Sequence, residues 1–232
     1  MTQTPNGAIP PSLILLLVRH AEQETMLELD PPLSERGQGQ AERLGERLTR
    51  LPVTAVVSSP MVRAQQTAAP IARLAGLSVE VEPNLDEIRM GAAEMRERFS
   101  RTSARRMEPD PDDYASSAMS AVRVVPRFVW PTYGDGETAA ELRLRATTAL
   151  DRVIARHLGG VVVCVAHGGV ICAALGSWIG VAKDMWFVPW HTGISAVAVS
   201  GDQRTILGVN DASHLPTGQD VLSLVSTSLE QL

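Results

Sequence analysis

Cysteine is nearly absent. The 232 residues contain two, Cys164 and Cys172, each inside an apolar run where a small buried hydrophobe belongs. Neither a disulfide scaffold nor a paired-cysteine zinc site is indicated. Long apolar runs are missing too. "LILLLV" (Leu13–Val18) is far short of the roughly 20 residues that a membrane-spanning helix needs. No Lys or Arg precedes it and no small-residue cleavage site follows, so it does not read as a signal peptide. No membrane association is expected, and the cytoplasm is the default location. Positive charge is in short supply: 21 Lys and Arg stand against 26 Asp and Glu, a net charge of -5. That argues against nucleic-acid binding, which needs a broad basic face. Metal-site spacings such as H-E-x-x-H are absent, and neither a metal nor another cofactor is expected.

Apolar residues make up 44% of the chain and charged residues 20%, which suits one soluble α/β domain over residues 1–232. Residues 1–11 read as a flexible lead-in. Five runs read as strands: Leu13–Val18, Ala55–Ser59, Ser78–Glu82, Val161–Ala166 and Ile194–Ser200. A sixth, Arg204–Asn210, should pair with the fifth across "GDQ". The first and fourth are continuously apolar, as strands covered on both faces are, while "SVEVE" alternates and belongs nearer an edge.

Helices fill the gaps. Ser34 caps one in which Leu44, Leu48 and Leu51 recur at helical spacing. Ser59-Pro60 starts a second, with Pro60 at its first position, which runs to Ala75 and stops at Gly76. A third spans Glu137 to His157 and a fourth Gly168 to Gly180. This alternation predicts a three-layer α/β sandwich: a mostly parallel central sheet with helices on both faces. Residues 92–133, rich in Arg, Met, Ser and Asp-Pro turns, read as a partly helical insertion over the active site.

Ligands of open α/β sheets bind at the carboxyl ends of the strands. Arg19-His20 follows the first strand, "SSPMVRAQQTA" with Arg63 the second, "NLDEIRMG" with Glu87 the third, and "AHGG" with His167 and Gly168 the fourth. Arginine forks suit phosphate oxygens, a helix N-terminus adds unpaired N–H groups, and Gly168-Gly169 lets backbone approach a ligand. Each element alone has a plainer structural reading. Together they describe a phosphoryl site.

Five segments carry a family resemblance: "VRHAEQ", "DPPLSERGQGQA", "SSPMVRAQQTA", "LDEIRMG" and "VAHGGVICAAL", with "GVNDASHL" at the end. In this order they resemble the motifs of the histidine phosphatase superfamily, the phosphoglycerate mutase-like fold. The resemblance implies that His20 is the nucleophile forming a phosphohistidine and that Arg19 and Arg63 bind phosphate. It implies that His167 contacts the transferring phosphoryl group, that Glu87 is the proton donor, and that Gln23 lies beside the phosphate. The reaction implied is metal-independent hydrolysis of a small phosphorylated substrate. Phosphoryl transfer of the phosphoglycerate mutase type and a non-catalytic phospholigand-binding module are the alternatives. A nucleophilic histidine must be neutral, with one nitrogen free and the other N–H held by an acceptor. Neighbouring arginines disfavour the charged ring.

The departures are local. Ala21 stands where glycine is usual, and its methyl tightens the pocket unless that residue is extended. Thr25-Met26 replaces the Trp-Asn of the mutases. Five arginines between Arg96 and Arg106 read as a solvated helical face or a substrate contact, and Glu137 as a helix start. A homodimer is a prior from the frequency of dimers alone.

Overall fold

The computed structural model describes residues 13–91 and 135–216. The lead-in and the 92–133 insertion lie outside the described residues. A six-stranded sheet forms the centre: β1 (Leu13–Arg19), β2 (Val53–Ser58), β3 (Val79–Val81), β4 (Val161–Ala166), β5 (Ile194–Ser200) and β6 (Gln203–Asp211). Their spatial order is β3-β2-β4-β1-β5-β6. The first four in that order run parallel, and β5 and β6 are antiparallel to their neighbours. The apolar β1 and β4 occupy the middle, and the alternating β3 lies at one edge.

Period-two alternation sorts the core into two layers. Leu13, Leu15, Leu17, Val162 and Cys164 face α3 (Ala139–Arg156) and α4 (Gly168–Ile179), meeting Leu150, Val153, Ile171 and Leu175. Leu16, Val18, Val163 and Val165 face α1 (Glu35–Leu48) and α2 (Val62–Ala75), meeting Leu44, Leu48 and Ile71. Leu15, Leu17 and Val18 are almost fully buried, each contributing roughly 1.5–3 kcal/mol relative to exposure.

Three helix boundaries differ from the sequence reading. α1 is capped by Ser34, whose hydroxyl accepts from Gly37 N–H, but it ends at Leu48. Leu51 lies beyond it and is 42% exposed. α2 starts at Val62, two residues after Pro60. The Ser59 hydroxyl accepts from Met61 N–H and holds that turn outside the helix. The side chain that meets the helix's first N–H is distant: Val62 N–H donates to the Asp30 carboxylate at 2.9 and 3.1 Å. α3 is capped by Thr138 in a reciprocal capping box with Glu141, so Glu137 precedes the helix. The stops hold as expected, with Gly76 and Gly180 both left-handed caps at φ 68° and 73°.

The parallel strands all end at one edge. Ladder bonds carry the pairing one residue further, with His20 N–H on the Ala166 carbonyl and Ser59 N–H on that of Val165, each at 2.9 Å. The residues just past β1, β2 and β4 are therefore fixed relative to one another by backbone.

Candidate active site

His20 leaves β1 buried, 3% exposed. Its Nδ1–H donates to the Ala21 carbonyl at 2.7 Å. A carbonyl can only accept, so that nitrogen carries the proton and Nε2 keeps a lone pair. Arg63 Nε–H points at that lone pair from 3.3 Å. The same guanidinium reaches His167, with Nη2 3.4 Å from Nδ1. His167 Nε2 lies 2.7 Å from the Ser59 hydroxyl. One buried arginine thus spans two imidazoles whose rings are 5.1 Å apart. Arg63 is oriented from its far side by the Leu29 carbonyl and by Asp30. Arg19 Nη1 donates to the Pro189 carbonyl at 2.7 Å.

The site's electrostatics derive from that burial and those two arginines. Burial, then the charges of Arg19 and Arg63, hold the His20 imidazole well below its ordinary pKa, against a smaller upward pull from the Ala21 carbonyl. Burial, then His20, Arg63 and Arg19, does the same to His167. Both rings are neutral at pH 7. His20 Nε2 keeps its pair unprotonated at the cleft, met by Arg63 Nε–H, and is the candidate nucleophile. Burial raises both thiols, that of Cys172 up to about 12, which leaves them unreactive.

Glu87 sits across the cleft, half-buried. Its Oε1 accepts from Ile88 N–H at 3.0 Å and its Oε2 from Gly169 N–H at 3.4 Å, in the first turn of α4. The loop carrying it is tied down by Arg145 of α3. Arg145 donates to the carbonyls of Asn84 and Asp86, both at 2.9 Å, and to that of Glu87 at 3.3 Å. It also pairs with Asp86 at 2.7 Å and with both Glu137 oxygens at 2.6 Å. Glu137 is therefore a structural tie between this loop and α3.

These groups open into one cleft of about 670 Å³, lined by Arg19, His20, Gln23, Arg63, Glu87 and Gly168 among others. Of the seven catalytic and substrate-binding residues expected from sequence, His167 alone is not in that lining; it is fully buried behind Arg63. Gln23 reaches the cleft, but its amide N–H groups are taken by the Thr25 carbonyl and Met26 sulfur, both at 2.9 Å. A Cβ on Gly168 would meet only Met185 and Pro189, at 3.8 and 3.9 Å. Glycine there keeps the cleft open and relieves no clash. The Ala21 methyl does not enter the cleft. It packs away from it against Leu33 and Ala41. Ala21 N–H donates to the Thr67 hydroxyl at 2.9 Å.

One neighbour escaped the sequence reading. His191 is buried with its ring 5.7 Å from that of His20. Burial, Arg19 and His20 lower its pKa as well. It precedes β5, and β5 runs antiparallel to β1, so the start of β5 lies at the edge where the parallel strands end. The signal that finds it is this placement: residues just before an antiparallel strand share the edge with those just after a parallel one. Among the described residues, no group of three or more His, Cys, Asp or Glu is placed to hold a metal ion. No described helix is long and apolar enough to cross a membrane.

A neutral histidine flanked by two arginines, at the carboxyl edge of a three-layer α/β sandwich, defines the class: enzymes of phosphoryl hydrolysis or transfer. The profile of the histidine phosphatase superfamily (branch 1) matches residues 15–212, and the chain belongs to that superfamily. It is 30% identical over 213 residues to "Phosphoserine phosphatase 1" of Hydrogenobacter thermophilus, covering 87% of this chain and 93% of that protein. It is 29% identical over 174 residues to "Probable phosphoglycerate mutase GpmB" of Yersinia enterocolitica, covering 72% and 75%. Among solved structures, Bacillus stearothermophilus YhfR superposes with a TM-score of 0.69 at 25% identity, over 87% of this chain and 98% of that one.

Proposed function

We propose that the protein hydrolyses a small phosphomonoester through a phosphohistidine on His20, without a metal. The observation that carries this is the fixed tautomer: Nδ1–H is held by the Ala21 carbonyl at 2.7 Å, and the Nε2 pair is aimed at the arginine that would bind the phosphoryl oxygens. The Nε2 pair attacks phosphorus, an N–P bond forms, and the P–O bond to the leaving alcohol breaks. Glu87 delivers the proton that the departing oxygen needs. Water then attacks phosphorus and gives its proton to Glu87, the N–P bond breaks, and inorganic phosphate leaves. Arg19 and Arg63 balance charge on the equatorial oxygens throughout.

His167 acts through Arg63. The buried ring lies with its Nδ1 3.4 Å from Nη2 and so holds the guanidinium fork that would meet the phosphoryl oxygens. Gln23 lies beside the phosphate, and Gly168 lets backbone come close to the substrate. A cytoplasmic location remains the default, and two free, buried thiols are compatible with it.

The test is to trap phosphoenzyme from labelled p-nitrophenyl phosphate in EDTA. Acid-labile label is expected on the wild type and none on His20→Ala, with vanadate inhibiting turnover. Activity that disappears in EDTA and returns with a metal overturns the mechanism. Transfer between phosphoglycerates without net phosphate release replaces it with the mutase reading, to which the Yersinia relative's name points.

A further inference from the structure

Every methionine among the described residues, Met26, Met61, Met90 and Met185, lines the cleft that holds His20 and Glu87. They arrive from four unconnected segments: after β1, before α2, after the Glu87 loop, and between α4 and β5. All four are half-buried on the cleft wall and none belongs to either main core layer. Leu29 and Val188 extend the same apolar surface.

The charged groups of this wall are largely satisfied by one another. Arg89 donates to both Asp86 oxygens, at 2.9 and 3.3 Å, and Arg145 takes Asp86 as well. Asp30 accepts from Val62 N–H and from Arg63. Arg19 and Arg63 flank His20, where the phosphoryl group belongs. Among the described lining residues, Arg89 is the one arginine or lysine besides Arg19 and Arg63, and Asp86 holds its Nε and Nη2.

We infer that the site takes phosphomonoesters whose leaving alcohol is apolar, bound by dispersion and by removal of hydrocarbon from water. Methionine is unbranched and polarisable, so such a wall adapts to chains of different shape and does not select one outline. The inference rests on the hydrolase reading above and names the substrate class for it. Each methylene buried against such a wall should raise kcat/KM roughly two- to fourfold.

The experiment compares straight-chain monoalkyl phosphates from ethyl to hexyl, with O-phosphoserine and 3-phosphoglycerate as carboxylate-bearing references. The hexyl-to-ethyl ratio of kcat/KM should be roughly 15- to 250-fold. Met61→Gln and Met185→Gln should each lower that ratio about threefold or more. The ratio is internal to each preparation, so a misfolded fraction cancels. In parallel, calorimetry measures ethyl- and hexylphosphonate, which cannot be hydrolysed, and hexylphosphonate should bind more tightly by a similar factor.

A ratio near one in both series, or a preference for the carboxylate-bearing esters, overturns the inference and leaves the hydrolase reading standing. Phosphonate affinity that rises with chain length while no ester turns over sinks the hydrolase reading and keeps only the apolar binding wall. No turnover together with a flat phosphonate series overturns both.

Discussion

Arg145→Met keeps an unbranched stem of similar reach and deletes the guanidinium that ties α3 to the Glu87 loop. The side chains of Arg145 and Glu137 are 9% and 8% exposed, and their contact is two-pronged at 2.6 Å. Removing one partner of a buried pair leaves the other charged and desolvated, at about 3–5 kcal/mol. Asp86 keeps Arg89 and is 22% exposed, so it adds little. The carbonyls of Asn84, Asp86 and Glu87 are only partly buried, and water can replace their lost donor. The total is a large share of a typical stability of about 5–15 kcal/mol.

Urea denaturation at pH 7.5 should show that loss as a lower midpoint with an unchanged slope. Adding Glu137→Gln removes the stranded charge and should recover about 1–3 kcal/mol. The double variant should therefore be more stable than the single. A loss below about 1 kcal/mol, or a double variant less stable than Arg145→Met, would refute the reasoning. Kinetics give a second readout. With Glu87 less firmly placed, turnover of ethyl phosphate should fall more than that of p-nitrophenyl phosphate, whose leaving group needs less help from an acid.

Three further outcomes are expected. Glu87→Gln should slow alkyl phosphates by roughly 10²–10⁴-fold and p-nitrophenyl phosphate far less; equal losses on both would contradict a proton-donor role. Stability should fall as pH drops below about 6.5, because the folded pKa values of His20, His167 and His191 are all depressed. The unfolded chain then binds protons that the folded one excludes, at up to about 1.4 kcal/mol per pH unit for each ring. The depressed carboxyls of Glu82 and Asp211 act only at lower pH, so a urea midpoint that stays flat between pH 7.5 and 5 would sink the claim. Gly37→Ala, which elsewhere in a helix would stabilise by about 0.5–1 kcal/mol, should instead destabilise by about 1–3 kcal/mol. Its Cβ would lie 1.9 Å from the Glu22 carbonyl oxygen, and thermal melts decide the sign.

Much of the fold was legible because its signals are local. "LILLLV" and "VVVCVA" are apolar on both faces, and they are the two central strands. Ser34, Gly76 and Gly180 mark real helix ends, since a cap depends on backbone within a few residues. The helix starts two residues past Pro60 because the Ser59 hydroxyl takes Met61 N–H, and that hydroxyl also serves His167, a partner no local propensity can register. Leu51 has the right spacing for α1, but the chain has already turned. Arg145 lies mid-helix between Leu144 and Ala146, with nothing beside it to announce two carboxylates and three carbonyls.

The order of elements, the superfamily, and the chemical identity of Arg19, His20, Arg63, Glu87 and His167 were determined by the sequence alone. Residue types and short spacings suffice for these. Tertiary structure decided how those residues are arranged. It chose which nitrogen of His20 carries the proton, by presenting the Ala21 carbonyl. It placed Arg63 between two imidazoles and set His167 behind it. It turned Ala21 away from the cleft, settling the departure that looked most intrusive. It also brought His191 and four scattered methionines to one edge of the sheet. These facts depend on distances between residues far apart in the chain, and such distances are set by how strands pair and helices pack.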